Sequence, residues 1–358
     1  MPELPEVETV RAGIADHSLG RPVRAVRVVD ARSLRRYLPG PTHFEAALTG
    51  RALRGAYRRG KYLWLTLSEA DGTLADEALV VHLGMSGQLL VRDKPDGVSG
   101  SDSEARAAFD EQPRHLRVAL ELGPAGATST AGATGSMVSA NRASTGQRLL
   151  FVDQRIFGGM FLSPLVPDVP ATVATNEAAA GEAMSEGGTD FSAVPECFLV
   201  PEAVKHIARD PLDEFFDPAA VRRKFLRTSS GIKKVLLDQS VISGVGNIYA
   251  DEALWRARLH YAKPARTLSA AQTRDLLEAV TQVLRESLAA GGTSFDALYV
   301  NVLGESGYFE RSLNAYGRAG EPCHRCVEAG RTSLMVREPF QNRSSYRCPH
   351  CQRAPRSR

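Results

Sequence analysis

The chain has 358 residues, 43% hydrophobic and 24% charged, with a net charge of +3, the profile of an ordinary globular protein long enough to bury two or three cores. No apolar run approaches the roughly 20 residues of a membrane helix, and the acidic start lacks the basic-then-apolar order of a signal peptide, so a cytoplasmic protein is expected. The charge is uneven: residues 316–358 hold nine Arg, no Lys and three Glu, a net +6, which suits a polyanionic partner or a solvated tail.

The chain begins MPELPEVETV. Val7, Val10 and Ile14 recur at helical spacing, Pro5 suits a first turn and Gly20 a stop, which predicts a short amphipathic helix over 5–18. The period then changes. VRAVRVV, KYLWLTL, ALVVHLGM, GQLLV, HLRVALEL and RLLFVDQR read as strands, and six or more of them before about residue 165 predict a β-sandwich or barrel.

Three segments interrupt this pattern: 93–112 is rich in Asp, Gly and Ser, 123–147 in Gly, Ala, Ser and Thr, and 166–200 is acidic, with no Lys or Arg from 156 to 204. Their composition predicts mobile surface insertions, the acidic one serving as a linker. From about 201 the pattern is helical. SAAQTRDLLEAVTQVLRESLAAGG offers Ser269 and Gln272 as a capping box, an apolar face of Leu276, Leu277, Val280, Val283, Leu284 and Leu288, and Gly291 as a stop. The expected architecture is α+β: a β-sandwich domain with an N-terminal helix (1–165), a helical domain (201–318) and a small C-terminal metal-bound hairpin (319–358).

Four of the five cysteines form the pairs CHRC at 323–326 and CPHC at 348–351. Cys323, Cys326, Cys348 and Cys351 can converge as four thiolates on one tetrahedral Zn²⁺, a structural site that leaves no open position for chemistry. His324 and His350 are alternative ligands or exposed side chains, and Cys197 stands apart. Between the pairs, QNRSSYRC puts Arg343 on the hairpin, where it can reach phosphate or base edges or remain solvated.

IKKVLLDQSVISGVGNIYADEALWRA, 232–257, reads as helix, two glycine-bearing turns and helix. Asn247 is the expected N-cap, Gly244 and Gly246 allow close backbone approach, and the second helix offers its N–H groups to an anion, with Lys233 nearby. At the start, a penultimate proline invites removal of Met1 and exposes a secondary amine at Pro2. Such an amine attacking an aldehyde-level carbon gives an iminium, an electron sink for elimination, with Glu3 and Glu6 near enough to move protons. PELPE is equally compatible with a plain helix start, and Glu8 reads as a solvated helix residue.

MPELPEVETV, RRGKYLW, HLGMSG, DQRIFGG, IKKVLLDQSVISGVGNIYADEAL, GGTSF, GYFERSLNAYGRAGEPC and NRSSYRCPHCQ together resemble the formamidopyrimidine-DNA glycosylases, bacterial enzymes that excise oxidised purines. The resemblance runs in order along both ends of the chain and fails in the three insertions. It implies a β-sandwich, a helix-two-turn-helix domain and a zinc finger that bind damaged double-stranded DNA, in a protein expected to act as a monomer. Pro2 maps to the nucleophile, Glu3 to the acid/base, Glu6 to a supporting carboxylate, and Lys61 to a basic residue near the lesion phosphates. His82, Lys233, Asn247 and Arg343 map to phosphate contacts, and Met85, Arg155 and Phe157 to the side chains that fill the hole left by a flipped nucleotide. Residues 291–309 map to a lesion-capping loop.

The sequence departs from the family in a longer spacer between the cysteine pairs and in Ile156, where a basic residue is common. The implied activity is a bifunctional glycosylase and abasic-site lyase for 8-oxoguanine and formamidopyrimidines. The alternatives are the sister glycosylase for oxidised pyrimidines, of the endonuclease VIII type, and a catalytically silent damaged-DNA-binding protein.

Overall fold

A computed structural model of the chain describes residues 2–94, 112–125, 145–170, 173, 194–292, 300–305, 307 and 309–355. They form two compact units, one from Pro2 and the described residues of 6–206 and 300–305, the other from 3–5 and the described residues of 207–292 and 307–355. The expected insertions at 93–112 and 123–147 and the acidic stretch lie largely outside the described residues, as do 293–299 of the expected capping loop.

Helix α1 (Leu4–His17) leads into the first unit. Its Val7, Val10 and Ile14 are buried, as their spacing predicts, and Gly20 at φ +75° turns the chain away. There follow β1 (Val23–Val28), α2 (Gly40–Leu48), β2 (Ala52–Arg59), β3 (Tyr62–Ser68), β4 (Leu74–His82), β5 (Gly87–Asp93), β6 (Leu116–Leu122), β7 (Gln147–Asp153), β8 (Gly159–Pro167) and β9 (Leu199–Pro201). They make the two antiparallel sheets of a β-sandwich, in the orders β1-β6-β7-β5 and β2-β3-β4-β8-β9. Two of the inner strands bury nearly every residue: β7 is buried throughout and β3 in all but its end residues, which is why both read as continuous apolar runs.

The register decides what the loops can do. His82 at the end of β4 pairs with Gly159 at the start of β8, and Gly87 at the start of β5 pairs with Asp153 at the end of β7. The β4–β5 turn, which carries Met85, and the β7–β8 turn, which carries Arg155 and Phe157, therefore lie side by side at one end of the sandwich. β9 corrects the expected linker: Leu199, Val200 and Pro201 pair with β8. Glu196 just before them accepts from Arg54 Nε at 2.8 Å and from the Thr66 hydroxyl, so the last residues of that stretch belong to the sheet.

The second unit holds α3 (Pro218–Leu226), α4 (Ile232–Leu236), α5 (Asn247–Arg256), α6 (Ala270–Ala289), α7 (His324–Glu328), and the hairpin β10 (Val336–Phe340) and β11 (Arg343–Arg347). The Ser269–Gln272 capping box opens α6, and its apolar face joins Phe225, Ile232, Leu236, Val245, Tyr249 and Leu4 in one core. A second, small core gathers Trp255, Ala315 and Met335 around three of the cysteines. Among the described residues no helix is long and apolar enough to cross a membrane.

Candidate functional site

Helix α5 begins without a side-chain cap of its own. Its N-cap is Gly246, and the expected cap Asn247 is the first helical residue. The orphan N–H groups are met from outside the helix. Gly246 N donates to Glu3 Oε2 at 2.6 Å and Ile248 N to Glu3 Oε1 at 3.0 Å, which seats the carboxylate on the positive end of the α5 dipole. Leu4 N donates to Gly244 O at 3.0 Å and fixes the backbone beside it. A Cβ on Gly246 would collide with the Glu3 carboxyl carbon, so the close approach requires glycine.

Three expected DNA-contacting residues converge on the β10–β11 hairpin. Ser344 O accepts from Lys233 Nζ at 3.0 Å and from Asn247 Nδ2 at 3.1 Å. Arg343, next to Ser344, pairs with Phe340 across the hairpin tip and is exposed. Lys233 differs from expectation. Its side chain is 0% exposed and ion-paired at 2.7 Å with Asp251, also 0% exposed, so it presents no surface to a phosphate. Burial pushes the Lys233 ammonium down and the Asp251 carboxyl up, each against the pull of its partner. Asp251 is satisfied further by Ser345 Oγ and Tyr346 N, both at 2.9 Å. The pair therefore fastens the hairpin to α4 and α5.

In the first unit Pro2, Glu6 and Lys61 are buried, Lys61 in the β2–β3 turn. His82 closes β4, and its pKa is pushed down to about 4, first by burial and then by the charges of Arg36, Lys61 and Arg35. Met85 is 38% and Phe157 51% exposed, so each of the two turns presents an apolar side chain to solvent. Glu8 corrects the reading of a solvated residue. It accepts from Arg11 Nη2 and Arg58 Nε, each at 2.8 Å, and although burial raises its pKa, these two arginines outweigh burial and leave it lowered.

The four sulfurs of Cys323, Cys326, Cys348 and Cys351 lie within 4.8 Å of one another and can share one metal ion. Cys326 Sγ is 3.7 Å from Cys348 Sγ and 3.6 Å from Cys351 Sγ. His324 and His350 are exposed and engaged elsewhere, His324 Nδ1 with Asn314 Oδ1 at 3.0 Å and His350 Nε2 with Arg331 at 3.0 Å. Cys197 is exposed. Of the expected capping loop, 291–292, 300–305, 307 and 309 are described: Val302 is buried, and its carbonyl accepts from Val91 N at 2.8 Å.

Sequence reading does not single out Asp251, Asp153, Ser86 or Arg35. For the two aspartates the available signal is an acid inside an apolar run, IYADEAL and LLFVDQR; nothing local marks the other two.

Two family models match: the formamidopyrimidine-DNA glycosylase N-terminal domain over residues 1–160 and the H2TH domain of the same glycosylases over 207–298. Among curated proteins, the formamidopyrimidine-DNA glycosylase of Nocardia farcinica is 48% identical with 100% of both chains covered, and that of Acidothermus cellulolyticus 46% identical with 99% of both covered. Among solved structures, MutM in complex with DNA containing carbocyclic 8-oxo-G is 26% identical, with a TM-score of 0.67 over 99% of this chain and 100% of that one. The Lactococcus lactis Fpg bound to abasic-site DNA, 24% identical with a TM-score of 0.68 over 98% of this chain and 100% of that one, shares the fold.

Proposed function

Because this chain belongs to the formamidopyrimidine-DNA glycosylase family, we propose that it is a bifunctional DNA glycosylase and abasic-site lyase that removes 8-oxoguanine and formamidopyrimidines from duplex DNA in base excision repair. The observation that carries this reading is the Glu3 carboxylate, held by Gly246 N and Ile248 N directly after Pro2. An acid fixed at a helix N-terminus, one residue from a potential secondary amine, is suited to proton transfer beside a nucleophile.

In this scheme Met1 is removed and the Pro2 nitrogen attacks C1′ of the flipped nucleotide. The N–C1′ bond forms and the glycosidic bond breaks, the base leaving with the electron pair and taking up a proton. Glu3 protonates the ring oxygen as the sugar opens to the iminium. The iminium acidifies the C2′ proton; its loss expels the 3′ phosphate, and a second elimination expels the 5′ phosphate. Glu6 supports the site as a second carboxylate. Lys61, His82, Asn247 and Arg343 contact the DNA backbone, while Lys233 acts from within by bracing Ser344. Met85, Arg155 and Phe157 replace the extruded nucleotide in the stack.

The cysteine cluster is proposed to hold one structural Zn²⁺. Four sulfurs about 2.3 Å from a tetrahedral zinc stand about 3.8 Å apart, and the observed 3.6 and 3.7 Å separations fit that geometry. The metal would order the hairpin that carries Arg343. Damaged DNA as partner is supported by the MutM complex with 8-oxo-G DNA.

Incubation with an 8-oxoguanine duplex tests the reading. Release of free 8-oxoguanine with strand ends phosphorylated on both sides is expected. Activity confined to oxidised pyrimidines would assign the sister specificity, and tight binding without any cleavage would assign a silent damage binder.

A further inference from the structure

The turn between β7 and β8 is gripped from both sides. Arg35 Nη1 donates to the carbonyls of Ile156 at 2.7 Å and Gly158 at 3.0 Å, and Nη2 donates to that of Phe157 at 2.6 Å. One planar guanidinium thus takes three consecutive carbonyls. The N–H groups of the same turn are held by Asp153, which is fully buried. Its Oδ1 accepts from Arg155 N at 3.1 Å and from Ser86 Oγ at 2.6 Å, and its Oδ2 accepts from Gly158 N at 2.8 Å. Ser86 Oγ in turn accepts from Arg155 N at 3.1 Å.

Ser86 directly follows Met85 in the neighbouring β4–β5 turn, so the Asp153–Ser86 bond ties the two turns together. They also meet backbone to backbone. A Cβ on Gly84, at φ +65°, would collide with Gly158 N, and one on Gly158 would stand 2.6 Å from His82 O. Within the gripped turn, Ile156 has φ +55°, a conformation that β-branched residues rarely adopt. Its carbonyl is one of the three that Arg35 holds.

We infer that Arg35, with Asp153 and Ser86, is a positioning device that locks Met85, Arg155 and Phe157 into one rigid wedge for displacing a damaged nucleotide. The inference rests on the stack-filling role proposed above for those three side chains. A wedge must hold its shape against the resistance of a stacked base; without the guanidinium, Ile156 can relax to negative φ and carry Phe157 with it. Arg35 touches no reacting atom in this scheme, and its contribution is geometric. A side-chain displacement near 1 Å lowers rates by up to about 100-fold.

The test is Arg35→Ala, compared with wild type on two duplexes. Single-turnover excision of 8-oxoguanine is expected to fall at least about tenfold, while strand cleavage at a preformed abasic site, where no base must be unstacked, stays within about threefold. The fluorescence rise of 2-aminopurine beside the lesion, which reports unstacking, should disappear with the excision step. Arg35→Lys should not restore it, because a single ammonium nitrogen cannot reproduce the planar fork by which Nη1 and Nη2 reach the three carbonyls, and Ser86→Ala should shift both readouts in the same direction. The two milder variants decide the matter if Arg35→Ala does not fold. Wild-type excision in the variants, or an equal loss on both duplexes, overturns the inference. Absence of excision by the wild-type protein would instead overturn the proposed function.

Discussion

Glu3 and Gly246, 243 residues apart in sequence, are joined by a 2.6 Å hydrogen bond from the Gly246 N–H to the Glu3 carboxylate. Gly246 has φ −122° and ψ −159°, which alanine adopts freely, so Gly246→Ala perturbs the carboxylate alone, through its clashing Cβ. Single-turnover excision of 8-oxoguanine should fall by about 100-fold, while affinity for the duplex, read by anisotropy, stays within a few-fold. Wild-type excision would show that the seat of Glu3 is immaterial.

Lys233 and Asp251 form a fully buried ion pair. Removing one partner strands the other charge, and Lys233→Met should lower stability in urea by about 3–5 kcal/mol. Lys233→Met combined with Asp251→Asn should recover a substantial part of that loss. A single variant as stable as wild type would contradict the pairing.

His82 titrates at about 4, below its ordinary 6.5. Between those values the unfolded chain binds a proton that the folded chain refuses, so stability falls as pH drops from about 6.5 to about 4. Below that window the histidine adds no further slope. The slope is at most one proton, about 1.4 kcal/mol per pH unit. His82→Gln should remove it from urea midpoints measured across pH, and an unchanged profile would show that His82 is not held neutral.

The four-cysteine cluster should contain about one zinc per chain by metal analysis. Cys348→Ser should release the metal and disorder the hairpin, with loss of DNA affinity. Arg343→Ala in the intact finger should weaken binding more mildly and lower the slope of log K against log salt by about 1. Full affinity in metal-free protein would remove the finger from the DNA-binding surface.

What was legible in the sequence is what is local. The buried stripe of α1, the Ser269–Gln272 box and the two cysteine pairs each lie within a few turns or a fixed spacing. The rest depends on partners far along the chain. Asn247 has the right chemistry for an N-cap, but Glu3 takes that place at Gly246 and Ile248. Lys233 reads as a surface cation until Asp251 is placed beside it, and Glu8 as solvated until Arg58 is. Leu199–Pro201 is too short to show a period and becomes a strand through pairing with β8. Tertiary contacts, not propensity, decide each of these.

The central claim is that Pro2 is the nucleophile. Borohydride added during reaction with an 8-oxoguanine duplex should reduce the iminium to a stable protein–DNA adduct, and peptide mass mapping should place it on Pro2 of a chain that has lost Met1. No adduct from methionine-processed protein, or an adduct on a lysine, would contradict it.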